Sequence, residues 1–137
     1  MKDIFCRIIE GEIPSSRVYE DEDCIVILDL SQLNKGHCLV IPKQHYETYL
    51  DCPDELLSRL SCVAKKIGNA LMKAFGAKGV NILANCYPEA GQEVPHFHIH
   101  VIPRYEGITG GFALKSIPQD TSNVDFKALA LEIAKAI

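Results

Sequence analysis

The chain has 137 residues, 47% of them hydrophobic and 23% charged, with a formal net charge of −4. That length matches a single domain able to bury a core without staples, so residues 1–137 are expected to form one unit. The acidic balance excludes general affinity for nucleic acid or an anionic membrane surface, while leaving room for local binding of one phosphate.

The start is mixed charged and apolar, and no apolar run approaches the roughly 18–20 residues that cross a bilayer, so a cytoplasmic protein is expected. Its six cysteines (Cys6, Cys24, Cys38, Cys52, Cys62, Cys86) are scattered with no Cys-x-x-Cys, a pattern that reads as reduced thiols.

Ile4 and Ile8, with Phe5 and Ile9, fall at helical spacing and predict a short helix over 3–10, stopped by Gly11 and Pro14. The acidic cluster 20–23 reads as a turn between two strands, the second running from Cys24 to Leu30 and nearly all apolar. A loop over 31–36 leads to a strand over His37–Lys43, ended by Pro42. From Pro53 to Phe75 the period changes to 3.6. Leu56, Leu57, Leu60, Val63, Ala64, Ile67, Leu71 and Phe75 share one face of a long helix, and Gly76 ends it.

Gly79–Tyr87 and His96–Arg104 read as strands on either side of a Pro/Gly loop over 88–95. An irregular segment over 107–121 precedes a last amphipathic helix capped by Asn123. Strands that follow one another through short loops imply an antiparallel sheet with helices packed on it, an α+β domain. No G-x-G-x-x-G or P-loop pattern is present.

The run His96-Phe97-His98-Ile99-His100 carries the chemistry. In a strand it places three imidazoles on one face, roughly 6.5–7 Å apart, with core residues on the other. Packing alone gives no reason for such a stack, because each ring carries polar nitrogens that need partners. Zinc ligation competes with catalysis as a reading of the spacing. The preceding loop favours catalysis: Gly91 permits close backbone approach to an anion, and the Gln92 amide can donate to a phosphate or leaving-group oxygen. A neutral imidazole near its ordinary pKa offers a lone pair to phosphorus, provided an acceptor holds the other nitrogen's proton.

The full run His96-Phe97-His98-Ile99-His100-Val101-Ile102 resembles the motif of the histidine triad (HIT) family of nucleotide hydrolases and transferases. The resemblance extends from about Asp3 to Tyr105 and is closest to the small bacterial nucleoside-phosphoramidase branch. It implies an α+β meander with one long central helix and short terminal helices. The implied substrate is a purine nucleotide, cleaved at the α-phosphate P–N or P–O bond through a nucleotidyl-histidine. Two other readings stay open: hydrolysis of dinucleoside polyphosphates, and a low-turnover nucleotide-sensing module.

By position, the resemblance makes His98 the nucleophile and His100 a contact to the phosphate oxygens. His96 supports the array, its carbonyl holding the His98 ring, and His37 is a further supporting histidine. Asp29 matches the ribose-binding carboxylate, and Ile27 and Leu30 line the base pocket. Asn85, Gly91 and Gln92 match phosphate-loop positions. Glu93 stands where many relatives carry Ser or Thr, a departure that bears on the leaving group. A homodimer is implied, joined through the long helix and the segment Asn81–Asn85.

Many bacterial relatives hold a structural zinc with an N-terminal Cys-x-x-Cys and two later histidines. Here Asp3 takes the first position, so the candidate set is Asp3, Cys6, His45 and His96. The competing reading is an ordinary helix with an Asp near its start, which the helix dipole favours. The implied chemistry requires no cofactor.

Overall fold

The computed structural model describes residues 2–107 and 121–137, so nearly all of the segment 107–121 lies outside the described residues. The elements run α1 (Ile4–Ile9), β1 (Arg17–Glu20), β2 (Cys24–Leu28), β3 (Cys38–Pro42), α2 (Asp54–Phe75), β4 (Gly79–Leu83), β5 (Ile99–Arg104) and α3 (Phe126–Lys135), with 3-10 turns at Tyr49–Asp51 and Pro88–Ala90. The five strands form one antiparallel sheet in the order β1-β2-β3-β5-β4. This is the expected α+β architecture, with β5 inserted between β3 and β4 so that the last strand is central and β4 is an edge.

Alternation along the strands sorts the core into two layers. Cys24 and Val26 of β2, Cys38 and Val40 of β3, and Ile99 and Val101 of β5 face the apolar side of α2, contributed by Leu56, Leu60, Val63, Ala64, Ile67 and Leu71. Ile25, Ile27, Leu39 and Ile41 face the other way and meet Phe5 and Ile8 of α1. A 22-residue helix thus covers one face of the sheet, and a six-residue helix covers only part of the other. The remainder of that second face is open, and the site lies there.

The long helix follows its expected bounds, with Pro53 at the N-cap and Gly76 in the left-handed conformation at φ 69° closing the last turn. Phe75, expected on the core face, is exposed at the helix end.

Several strand ends differ from expectation, in each case because side chains or loop groups take over the backbone hydrogen bonds. β2 stops at Leu28, since Asp29 Oδ1 accepts the Ser31 N–H and turns the chain. β3 begins at Cys38, after His37 has been tied to the loop by Gln32. β4 ends at Leu83, before a turn in which Tyr87 adopts φ 74°. β5 begins at Ile99: the His96 N–H donates to Val94 O and the Phe97 N–H to Tyr46 O, so these groups are spent outside the sheet. Asp125, not Asn123, caps α3, accepting the Ala128 N–H. Phe126, Leu129, Leu131 and Ile133 of α3 are all exposed.

Leu60 is fully buried at the centre of the α2–sheet layer. Leu60→Ala is expected to cost about 2–5 kcal/mol, the range for a buried leucine whose cavity only partly collapses. Urea unfolding checks this; a loss below about 1 kcal/mol would show that the α2 face is not the main core.

Candidate active site

The open part of the sheet forms a cavity of about 400 Å³. Its apolar lining comes from Ile4, Phe5 and Ile8 of α1 with Ile27 and Leu39 of the sheet. Asp29, His37, His98 and His100 share the lining with them, as do Asn85, Gly91 and Glu93. Leu30 stands at the rim, 99% exposed, where an apolar ligand group would cover it.

Hydrogen-bond geometry decides which ring nitrogen carries each proton. His98 Nδ1 lies 2.8 Å from the His96 carbonyl oxygen. A carbonyl only accepts, so Nδ1 bears the hydrogen and Nε2 keeps a lone pair. The Leu33 N–H donates to His37 Nδ1 at 3.2 Å, which places the single N–H hydrogen of the neutral His37 ring on Nε2. His37 Nε2 then donates to His100 Nδ1 at 2.9 Å. His100 must therefore carry its own hydrogen on Nε2. Two adjacent rings, with centroids 4.9 Å apart, thus differ in character: His98 offers a lone pair and His100 a proton donor.

Burial keeps these rings neutral. It lowers the pKa of His98 and His37 below the ordinary histidine value. His100 falls to about 4, through burial first and then through the neighbouring His98 and His37 rings. Phe5 packs edge-on against His98 at 5.0 Å and fixes the plane of the ring.

Asp29 lies beside the relay, its Oδ2 3.4 Å from His37 Nε2 and 4.0 Å from His100 Nδ1. The residue that ties this corner together is Gln32, which sequence reasoning missed. Its Oε1 accepts the Gly36 and His37 N–H groups and its Nε2 donates to the carbonyls of Asp29 and His37. A loop glutamine with no periodicity around it gives no signal of such a role. Phe5 was visible only as a helix-face residue.

Gln92 and His96, both expected in the site, do not line the cavity. The Gln92 side chain is buried away from the cavity; its Oε1 accepts the Tyr87 N–H at 2.7 Å and its Nε2 donates to Glu47 O at 2.7 Å. It shapes the loop rather than offering its amide to a ligand. Gly91 takes φ 93°, a conformation that L side chains rarely adopt, beside Asn85.

The His96 ring, fully buried, leaves the other two members of the triad and joins a separate cluster. Its Nδ1 lies 3.1 Å from Asp3 Oδ2, 3.3 Å from His45 Nδ1 and 3.6 Å from Cys6 Sγ. His45 Nδ1 is 3.0 Å from Asp3 Oδ2 and 3.9 Å from Cys6 Sγ. Tetrahedral zinc with N, O and S ligands has ligand–ligand edges of roughly 3.3–3.6 Å, from the usual bond lengths of about 2.0–2.3 Å. The cluster brackets that size.

The ring's own tautomer agrees. His96 Nε2 donates to Pro42 O at 2.9 Å, so in the neutral ring Nδ1 is an acceptor facing another acceptor, Asp3 Oδ2. Such a pair calls for a cation between them, a proton or a metal ion. These four residues therefore fit zinc. Burial works to raise the Asp3 carboxyl, but the Cys6 backbone N–H and the His96 ring hold it below its ordinary value.

The HIT domain family model matches residues 10–107. The chain belongs to the HIT family. A HIT-family crystal structure from Bacillus subtilis superposes with TM-score 0.85 at 42% identity, covering 100% of this chain and 98% of that one. An adenylylsulfatase of Arabidopsis thaliana is 44% identical over 103 residues, 75% of this chain and 52% of that protein. A structure described as a zinc-bound histidine triad family protein from Mycobacterium smegmatis gives TM-score 0.75 at 37% identity, covering 85% of this chain and 83% of that one. No described helix is long and apolar enough to cross a membrane.

The depressed His100 pKa has a consequence for stability. Between about 6.5 and 4 the unfolded chain takes up a proton that folded His100 refuses, so stability is complete above pH 6.5 and falls as the pH drops through this window. The loss from this ring is about 2 kcal/mol by pH 5, at about 1.4 kcal/mol per pH unit. Urea unfolding of wild type and His100→Asn at pH 7.5 and 5 checks it: the wild type is expected to lose more. Equal losses in the two proteins would remove His100 as the cause.

Proposed function

We propose that the protein is a nucleotide hydrolase that cleaves the α-phosphate P–N or P–O bond of purine nucleoside phosphoramidates or related nucleotides. The single observation that carries this is the pairing of opposite tautomers, a His98 lone pair beside a His100 N–H, in a cavity lined otherwise largely by apolar side chains. In this reading the base lies against Ile27, Leu30 and α1, the ribose hydroxyls meet Asp29, and the phosphate lies near Asn85 and the Gly91 backbone.

The chemistry has two steps. His98 Nε2 attacks the α-phosphorus, forming a P–N bond to the ring while the bond to the leaving group breaks with its electron pair. The leaving group then takes up a proton. His98 becomes cationic in the covalent intermediate, and the His96 carbonyl, already accepting from Nδ1–H, stabilises that charge. His100 Nε2–H donates to a non-bridging oxygen, where negative charge builds. Water next attacks phosphorus, the P–N bond to His98 breaks, and the nucleoside monophosphate leaves. A bound zinc supplies no reacting group in this scheme; Asp3, Cys6, His45 and His96 would hold it as a brace between α1 and the segment before β5.

Glu93 in the cavity lining favours a neutral or cationic leaving group such as an amine over an anionic one, by simple charge repulsion. That places phosphoramidates ahead of dinucleoside polyphosphates. The Arabidopsis relative, named for action on adenylyl sulfate, supports the wider class of α-phosphate cleavage.

Wild type is expected to release AMP from adenosine 5′-phosphoramidate, and more slowly from a diadenosine polyphosphate. His98→Ala should lower turnover by at least about 10³-fold while retaining AMP binding, as removal of a covalent nucleophile does. Asp29→Ala should act mainly on KM. Well-folded wild type that cleaves neither substrate would leave a nucleotide-binding module as the better account.

The same reading takes the protein as a cytoplasmic homodimer. The edge strand β4 exposes Ile82, and Met72 and Phe75 are exposed towards the end of α2, an apolar surface that a second copy would cover. Sedimentation equilibrium is expected to give twice the 15.2 kDa chain mass; a monomer at micromolar concentration would reject it.

A further inference from the structure

His96 faces two ways. Its ring is one corner of the Asp3–Cys6–His45–His96 cluster, and its carbonyl is the acceptor that fixes the tautomer of His98. Helix α1 is two-sided in the same sense. Asp3 and Cys6 belong to the cluster, while Ile4, Phe5 and Ile8 line the cavity. The Phe5 ring touches both systems, edge-on to His96 at 5.8 Å and to His98 at 5.0 Å.

Neither connection is rigid by itself. At six residues, α1 is far below the length at which a helix persists alone, so its position depends on what ties it down. Those ties are the burial of Phe5 and Ile8, the Arg17 guanidinium on the carbonyls of Ile8 and Ile9, and the Asp3 end. At that end Asp3 Oδ1 caps the helix by accepting the Cys6 N–H at 2.8 Å, while Oδ2 faces His45 and His96. On the Oδ2 side the carboxylate faces the His45 and His96 ring nitrogens at 3.0 and 3.1 Å, and one divalent cation among them would join α1 to both histidines at once. The segment 94–98 lies outside the sheet ladder, and its placement rests on a few backbone hydrogen bonds, on the burial of Phe97 in the α2 layer and on the His96 ring.

We propose that occupancy of this cluster by a borderline-soft divalent cation of the zinc class and occupancy of the adjoining cavity by a nucleotide are one coupled equilibrium, transmitted through α1 and the His96 peptide. The proposal rests on the nucleotide reading for one of its two ligands. The cation seats the first turn of α1 against His96. This sets the Phe5 wall and the carbonyl that aims His98, so the nucleotide meets a cavity already in its binding shape. By reciprocity the nucleotide, by holding the same wall, tightens the cation site by an equal factor. The cluster is then a positioning device for the active site as well as a brace on the fold.

Chelator-treated full-length protein is titrated with Co2+ in the presence and absence of saturating AMP, with the visible absorption of four-coordinate cobalt reporting occupancy. Calorimetry measures AMP binding to the metal-free and cobalt-loaded forms. The expected result is a four-coordinate spectrum with a thiolate contribution, lost in His45→Ala, whose exposed ring can be removed without disturbing the core. AMP should lower the Kd for Co2+ by about fivefold or more, with an equal fall in the Kd for AMP on cobalt loading. A brace with no link to the active site would raise thermal stability and leave both constants unchanged, and that result overturns the proposal. So does a protein that takes up no cobalt, or one whose spectrum survives His45→Ala. AMP that binds neither form rejects the nucleotide reading instead. The transmission is then decided by amide hydrogen exchange over residues 94–100, which slows on cobalt binding if the proposal holds and is unchanged if it does not.

Discussion

The hydrogen bond from His98 Nδ1 to the His96 carbonyl is the interaction on which the site depends. It costs the sheet a ladder bond, because the segment carrying His96 and His98 runs ahead of β5 rather than within it. In exchange it assigns one tautomer to a ring that in solution interconverts between two. Without it, His98 would present a lone pair or a proton to the cavity indifferently. The His37–His100 relay performs the complementary assignment, starting from a backbone N–H at Leu33. Two fixed main-chain groups, one acceptor and one donor, thereby set opposite polarity on adjacent imidazoles. Burial supports both assignments by keeping the rings uncharged, and its cost appears as sensitivity to acid.

Much of this was legible in the residues. The 3.6 period of α2, its apolar face and the Gly76 stop all survive in three dimensions, because a long amphipathic helix on a sheet has few alternatives. The strand interiors were equally plain. Strand ends were not, since they are decided by side chains returning to the backbone: Asp29 to Ser31, Gln32 to the His37 loop, Gln92 to Tyr87. Such bonds depend on loop geometry and leave no periodic trace. The same blindness hid Gln32 and misplaced the Gln92 amide.

The histidine triad illustrates the limit in another way. Alternation put His96, His98 and His100 on one side of the chain, and that direction is right: Phe97, Ile99 and Val101 all join the α2 layer. Alternation carries no information about what lies above each ring. Cys6, Asp3 and His45 claim the first, while the cavity claims the other two. The resemblance to relatives supplied that division; spacing alone left zinc and catalysis as rivals for all three rings. In the folded chain the rivals occupy adjacent territories and share one peptide.

The unequal covering of the sheet has a consequence for how such a site changes over evolutionary time. The cavity lies where α1 and the residues packed beside it leave part of that sheet face uncovered. Residues of α1 line the ligand space but do not belong to the α2 layer, the larger of the two core clusters. Exchanging Ile4 for a bulkier or smaller residue resizes the cavity without entering the main core. Selectivity and foldability are thus written in different parts of the chain, and drift in one leaves the other largely untouched.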